Sequence, residues 1–485
     1  MVGRLYDGKT WTDINEIEGG NTGNQAPLAP ILNGDGKIFV SIPSYRDGKR
    51  CGETIADLFS KARDPDSIIV GIIDQSSEDD SYCLEAYCKE LGYEIFKKRS
   101  IRQDTTKVMT TPERKDCPRV DQIRKLSIHH YGAKGPTFAR SLARKILGNE
   151  EFCLQIDAHM KFVQDWDEKV KQEWSATRNE YGIISTVPHG FFDMEHTPVT
   201  TVLRSCSLDF MPVGIPHYDE KGDGTVENLE KPLLSHAWSS GFSFAKCHLE
   251  ESAPYDPFTP YVMGVENFAR FARFWTRGYD VYTPTQNIVY HNRQPNPDGH
   301  DIKEWNRPRY QRFRDNSLKR IRTYLGVPGG LEDFNVANLG IYGLGKRRSL
   351  KQLESFLDIE METMKSRPKE ASCTGFQWVP YDVNISPVEN LFDAPDDLDA
   401  QPEYPLRTEL TFYKEEVEEE ENPNLDGLGD VMKTSPKAIF PSISVMLPLW
   451  ILGLIIWYMT FAASDSTSRR ARIRKKKKAM SQKDV

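Results

Sequence analysis

From Lys37 onward, short apolar runs alternate with helix-compatible stretches, and this alternation constrains the fold more than any other feature of the chain. Ile38-Phe39-Val40-Ser41-Ile42 is an apolar run closed by Pro43, and residues 52–62 suit a helix. Asp64-Pro65-Asp66 is a turn and residues 67–73 form a second, β-branched run. Residues 79–91 can be helical, and 93–96 is a third strand candidate. Strand and helix alternating at this spacing predict right-handed crossovers and a doubly wound, mostly parallel α/β sheet. Residues 100–122 are polar and irregular and read as a loop. Phe138, Leu142 and Ile146 recur at helical spacing in a helix expected over 137–147, with Arg140 and Arg144 four apart on another face. It leads into Phe152-Cys153-Leu154-Gln155-Ile156, a buried strand. Further strands fit 182–187, 241–245 and 287–290, an aromatic-rich helix fits 265–277, and 349–357 is the last helix of the body.

Of 485 residues, 38% are hydrophobic and 28% charged, which supports a globular core and excludes wholesale disorder. Lys and Arg number 63 against 71 Asp and Glu, a net charge of −8 that argues against nucleic acid as a partner. A mean hydropathy of −0.57 excludes a multi-span membrane protein. Residues 439–463 nonetheless carry no charge, and one transmembrane helix needs only about 20 residues. An acidic, Pro-rich stalk is expected over 361–438 and a basic tail over 464–485. Residues 1–36, rich in Gly, Asn and Pro, read as a flexible arm, leaving 37–360 as the folded body.

The positive-inside rule puts the basic tail in the cytosol and the body on the lumenal face of the ER or Golgi. The first 20 residues show no apolar signal-peptide stretch, which suits a tail anchor with a cytosolic body instead. The sequence leaves both open. Eight cysteines form no Cys-x-x-Cys pair. Cys153, in an apolar run, and Cys247, among Phe and Ala, read as buried free thiols, while the even count is compatible with disulfides without requiring them.

Asp157-Ala158-His159 directly follows the strand at 152–156. Open α/β sheets bind ligands at the carboxyl ends of their strands. A carboxylate oxygen and a neutral imidazole suit manganese or another borderline divalent ion. The same pair also suits a carboxylate capping the next element beside a surface histidine. His291 closes the run Asn287-Ile288-Val289-Tyr290 and is a candidate third ligand. Arg140 and Arg144 carry the guanidinium geometry that suits diphosphate oxygens. No phosphate-binding Gly-x-x-x-x-Gly-Lys-[Ser/Thr] loop and no Gly-x-Ser-x-Gly elbow occurs, so those two chemistries lack support. Trp238, Trp275 and Tyr261 suit stacking against a sugar or peptide, or the core.

A longer set of segments occurs in consistent order across residues 37–360. Ile38 to Asp47 ends in Ser44-Tyr45-Arg46-Asp47, and Gly135 to Arg140 precedes Leu154-Gln155-Ile156-Asp157-Ala158-His159-Met160-Lys161-Phe162. Then come Ser239-Ser240-Gly241-Phe242-Ser243-Phe244, Pro254-Tyr255-Asp256-Pro257, Gly264-Val265-Glu266 and Trp275-Thr276-Arg277-Gly278-Tyr279-Asp280. Tyr342-Gly343-Leu344-Gly345-Lys346-Arg347-Arg348-Ser349-Leu350 closes the set. In these segments the chain resembles the polypeptide N-acetylglucosaminyltransferases of glycosyltransferase family 60, which include enzymes that modify hydroxyproline on a ubiquitin-ligase adaptor subunit.

The resemblance implies a GT-A fold, a UDP-N-acetylglucosamine donor, a divalent metal ion and retention at the anomeric carbon. It also implies a protein acceptor, through hydroxyproline or through Ser/Thr. By the same resemblance Asp157, His159 and His291 are metal ligands, and Ser44, Tyr45 and Arg46 lie beside the nucleotide. Asp74 falls near uracil or ribose, and Glu266 and Asp256 are the candidate catalytic residues. Retaining transfer needs no strong base, so Glu266 is expected to orient hydroxyls. Val265 departs from a Gly-Glu-Glu pattern, and it favours the rival reading of a catalytically silent, membrane-tethered binding protein.

Overall fold

The structure, a computed structural model, describes residues 3–7, 9–14, 35–93, 108–109, 117–219, 221–296, 308–332, 334–366 and 376–382. All of them belong to one compact unit, residues 1–408. Among the described residues its central sheet has nine strands: β1 (Ile38–Tyr45), β2 (Ile68–Ser76), β3 (Val108–Met109), β4 (Ile123–His129), β5 (Phe152–Ile156), β6 (Gly182–Ser185), β7 (Leu233–Ser235), β8 (Phe242–Lys246) and β9 (Asp280–Thr283). Their order is β7-β9-β6-β8-β5-β1-β2-β4-β3.

β1 runs parallel to β2 and β5, β2 to β4, and β6 to β9. The other four pairings are antiparallel. The sheet is therefore mixed, where the strand–helix spacing predicts a mostly parallel one. The cause lies between β6 and β8. A parallel neighbour needs a crossover, usually a helix, to carry the chain back to its starting edge. Residues 186–232 instead hold short strands outside the central sheet and, among the described residues, one helix of four residues. β8 re-enters at the carboxyl end of β6 and runs antiparallel between β6 and β5.

Four helices cover the β1 half of the sheet: α1 (Gly48–Lys61), α2 (Cys83–Glu90), α3 (Pro136–Ala143) and α4 (Trp166–Ala176). Ile38, Val40 and Ile42 pack with Ile55 and Leu58 of α1 and with Trp166 and Val170 of α4. Phe39, on the opposite face, packs with Phe138 and Leu142 of α3. Burial on both faces is why β1 reads as a continuous apolar run. Gly52 lets α2 lie directly on α1, since a Cβ there would stand 2.4 Å from the Tyr87 backbone nitrogen. A further core is built around α5 (Glu266–Thr276), whose Phe268, Phe271 and Trp275 pack with Ile321 of α6 (Gln311–Leu325) and Leu353 of α7 (Leu350–Leu357).

Several expectations change. The helix expected over 137–147 ends at Ala143. The third strand of the parallel run is β4, at 123–129, while Tyr93 is outside any strand and 94–96 lies outside the described residues. Residues 4–6 and 11–13, expected in a flexible arm, form a hairpin on the strand at 224–227, with Leu5 buried against Val202 and Val226. The folded body continues past 360, because Met361 and Tyr381 are buried and Tyr381 donates to the Gly278 carbonyl at 2.7 Å.

Cys153 and Cys247 are not free thiols but a disulfide. β5 and β8 pair with Cys153 opposite Ala245, which makes Cys247 the diagonal neighbour on the same face, with a Cα separation of 4.9 Å. Cys51–Cys83 joins α1 to α2, and Cys88–Cys117 is a third bridge. Cys206 is disulfide-bonded as well. Among the described residues no helix is long and apolar enough to cross a membrane. The span expected at 439–463 and the basic tail at 464–485 lie outside them.

Candidate active site

A cleft of about 800 Å³ opens where β1 and β5 end, a volume in the range of small-molecule and cofactor sites. Tyr45, Arg140, Asp157, His159, Glu266 and His291 all line it. Strand pairing brings the two histidines together. The strand at 160–162 runs antiparallel to the strand at 289–291, with Met160 opposite His291. His159, one residue before Met160, therefore lies beside His291, and its carbonyl accepts from Asn292 N at 2.9 Å.

Three donor atoms converge there. His159 Nε2 lies 3.1 Å from His291 Nε2, which lies 3.3 Å from Asp157 Oδ2. His159 Nδ1 meets Asp47 Oδ2 at 2.9 Å. A carboxylate only accepts, so Asp47 fixes the hydrogen on Nδ1 and leaves the Nε2 lone pair facing the other two donors. Two imidazoles and one carboxylate whose ligand atoms all lie within 4.8 Å of one another fit a borderline divalent cation. Asp157 Oδ1 accepts from an Arg140 Nη at 2.9 Å. Burial works to raise the Asp157 pKa, but the His291 hydrogen bond and the Arg140 charge overcome it and hold the carboxyl well below its ordinary value.

Arg140 is positioned by α3, which starts at Pro136 beside the cleft. Gly135 precedes it at φ +96, where an added Cβ would also crowd the Tyr261 backbone at 3.3 Å. Burial disfavours the Arg140 charge, while Tyr255, Asp157 and Glu266 favour it more, so its pKa rises. Glu266 opens α5 at the cleft wall.

The structure does not bring Ser44, Arg46, Asp74, Arg144 or Asp256 into the cleft. Ser44 is fully buried within β1. Arg46 turns away to Asp80, with bonds of 2.8 and 2.9 Å. Asp74 is buried, accepting from Ser76 Oγ at 2.6 Å and from Cys83 N, at the start of α2, at 3.0 Å. Arg144 is exposed past the end of α3, a helical turn beyond Arg140. Asp256 is buried against Arg320, with a bond of 2.7 Å. Trp275 lies in the core, and Trp238 forms part of the cleft wall. Val265 is 2% exposed in the core around α5, so its departure from the acidic pattern is a packing position.

Sequence reasoning missed Asp47, Arg50, Asn267 and Arg293, all in the cleft wall. For Asp47 and Arg50 a signal existed, a carboxylate and a guanidinium three apart at the start of a helix.

A model of the family described as "Glycosyltransferase (GlcNAc)" matches residues 37–363, more than half of the chain. The chain belongs to this GlcNAc glycosyltransferase family. No curated protein sequence matches it. Similar solved structures include that of GalNAc-T7 with UDP, GalNAc and Mn2+, at 12% identity and a TM-score of 0.40, covering 66% of this chain and 56% of that one. Another is the mannosyltransferase of Pyrobaculum calidifontis with GDP-Man and Mn2+, at 11% identity and a TM-score of 0.34, covering 62% and 67%. A third is S. aureus TarS 1-349 with UDP-GlcNAc, at 12% identity and a TM-score of 0.33, covering 63% and 78%. In this member of the GlcNAc glycosyltransferase family, then, the converging Asp and His donors and Arg140 share one wall of the large cleft, and Glu266 faces the same space.

Proposed function

We propose that the protein transfers N-acetylglucosamine from UDP-N-acetylglucosamine to a hydroxyl of a protein acceptor, hydroxyproline or Ser/Thr, with retention. The observation that carries this is the convergence of Asp157, His159 and His291 beside Arg140 in the cleft of a GlcNAc-family chain. Asp157, His159 and His291 would hold a divalent ion, manganese by the character of the donors. Bound there, such an ion supplies positive charge to a departing diphosphate.

This chain's own residues do the rest. Arg140, fixed by Asp157, adds a guanidinium to the same wall and disperses the leaving group's charge without reorganising. The leaving phosphate accepts the acceptor's proton, so no residue acts as a strong base. Glu266, at the mouth of α5, orients sugar or acceptor hydroxyls. Trp238 closes the wall and excludes water. Buried Val265 no longer favours a silent binding protein.

The catalytic body works on the lumenal side of the secretory pathway, with 439–463 as its single membrane anchor. The three bridges Cys51–Cys83, Cys88–Cys117 and Cys153–Cys247 support an oxidising compartment over a cytosolic one. Purified full-length protein incubated with UDP-N-acetylglucosamine and manganese should release UDP, and EDTA should stop it. Turnover indifferent to EDTA would remove the metal, and failure to bind any UDP-sugar would remove the donor.

A further inference from the structure

Arg46 stands between two residues that line the cleft, Tyr45 and Asp47, and turns its own side chain to Asp80. Its backbone φ is +50, in the left-handed region that strains a residue of this kind. The bend falls where β1 ends at Tyr45 and α1 opens at Gly48. Contacts on every side hold it. The Arg46 N–H donates to the Gln75 carbonyl at 3.1 Å, and the Arg46 carbonyl accepts from Asn296 Nδ2 at 3.0 Å. The guanidinium makes two bonds to the Asp80 carboxylate, of 2.8 and 2.9 Å, and Asp80 also accepts from Ser77 N at 2.7 Å.

Asp47 is the next residue, and its carboxylate accepts from His159 Nδ1 at 2.9 Å. A guanidinium fork on a carboxylate fixes direction as well as distance. The Arg46–Asp80 pair is largely buried, with side-chain exposures of 19% and 7%, so salt screens it little. It anchors the strained turn to the loop before α2, while Asn296 anchors the same turn to the segment that follows His291. A turn free to relax to an ordinary φ would swing the Asp47 carboxylate off His159. Cys51–Cys83 separately fastens α1 to α2 one turn beyond Asp47, so α1 keeps a second tether to α2 when the ion pair is cut.

We infer that Arg46 is a positioning residue: paired with Asp80, it holds the left-handed turn that aims Asp47 at His159, and so sets the affinity of Asp157, His159 and His291 for a divalent ion. This rests on the proposed metal reading of those three donors. The role is one of geometry and not of charge. Removing a positive charge can only favour a bound cation, so a loss of metal affinity on removing Arg46 reports position.

The test uses the full-length protein. Arg46→Ala should weaken manganese binding by about tenfold, the lower end of what a carboxylate orienting a ligating histidine is worth, read by electron paramagnetic resonance of free manganese. Arg46→Gly, which takes a positive φ without strain, should lose less than Arg46→Ala. In an Asp47→Ala background, with no carboxylate left to aim, adding Arg46→Ala should cost less than about twofold. A residue that only stabilised the fold would weaken binding equally in both backgrounds. A second readout needs no metal. With nitrogen-15-labelled histidine, the His159 Nδ1 proton held by Asp47 should give an exchange-protected signal, identified by its absence in His159→Gln, and Arg46→Ala should lose it. An unchanged manganese affinity and protected signal in Arg46→Ala, or equal losses in both backgrounds, overturn the assignment. Wild-type protein that binds no manganese would instead remove the metal, and the His159 signal would still decide whether Arg46 positions that histidine.

Discussion

His159 donates from Nδ1 to Asp47 Oδ2 across 2.9 Å, and that bond aims Nε2 at His291 Nε2, 3.1 Å away. Asp47 is itself held by two bonds of 2.7 Å from Arg50, whose guanidinium also donates to the Gln294 carbonyl at 2.9 Å. Asp47 and Arg50 thereby tie the start of α1 to both histidine-bearing segments. Carboxylates that orient ligating histidines are worth about 10- to 100-fold in metal affinity. Asp47→Asn should weaken manganese binding by that factor, read by electron paramagnetic resonance of free manganese, with the fold unchanged by circular dichroism. Affinity equal to wild type would mean that Asp47 serves only α1.

Asp157 and Asp256 should separate cleanly. Asp157 presents one oxygen to His291 and the other to Arg140 in the cleft, so Asp157→Ala should abolish manganese-dependent binding of a UDP-sugar by calorimetry. Asp256 is buried against Arg320 and outside the cleft lining, so Asp256→Asn should leave that binding intact. It should lower stability by about 3–5 kcal/mol in urea unfolding, because it leaves a buried guanidinium unmatched. Loss of UDP-sugar binding in Asp256→Asn would restore it as a site residue.

Residues whose place follows from where a strand ends were legible in the chain. Asp157, His159 and His291 follow or close apolar runs, so the Asp-x-His spacing and a lone terminal His located the cleft. Residues whose role depends on which way a side chain turns were not. Arg46 and Asp74 flank strand ends as the cleft residues do, yet one turns to Asp80 and the other inward to Ser76 and Cys83. β4 was masked by Arg124 and Lys125, charges that break its apolar pattern. The direction of β8 is a property of the excursion before it and leaves no trace in its own residues.

Asp74 gives a pH signature. Burial pushes its pKa above the ordinary 3.8, against the hydrogen bonds from Ser76 and Cys83. A carboxyl with a raised folded-state pKa binds a proton more tightly when folded. Its contribution is fully present below pH 3.8 and falls as pH rises from there through the raised value, after which it is constant. Asp74→Asn cannot ionise, so the decline in stability over that window should be shallower than in wild type, measured by urea unfolding at a series of pH values. UDP-sugar affinity should not change, since Asp74 is outside the cleft lining. Parallel stability curves would show that Asp74 ionises in the folded protein as it does in the unfolded one.

Cys153 and Cys247 are 94 residues apart in sequence, and their bridge pins the amino end of β5 to the carboxyl end of β8, the antiparallel pair that makes the sheet mixed. Closing a loop of that length restricts the unfolded chain strongly, and the double variant Cys153→Ser, Cys247→Ser should lose about 4 kcal/mol in denaturant unfolding. The same bridge reports the compartment. Peptides of protein taken from intact cells, alkylated before lysis and mapped without reduction, should carry the Cys153–Cys247 link if the body faces the lumen. A protease added to sealed microsomes should then spare residues 37–363. Alkylated, unlinked Cys153 and Cys247 together with a cleaved body would put the enzyme in the cytosol and its acceptors there with it.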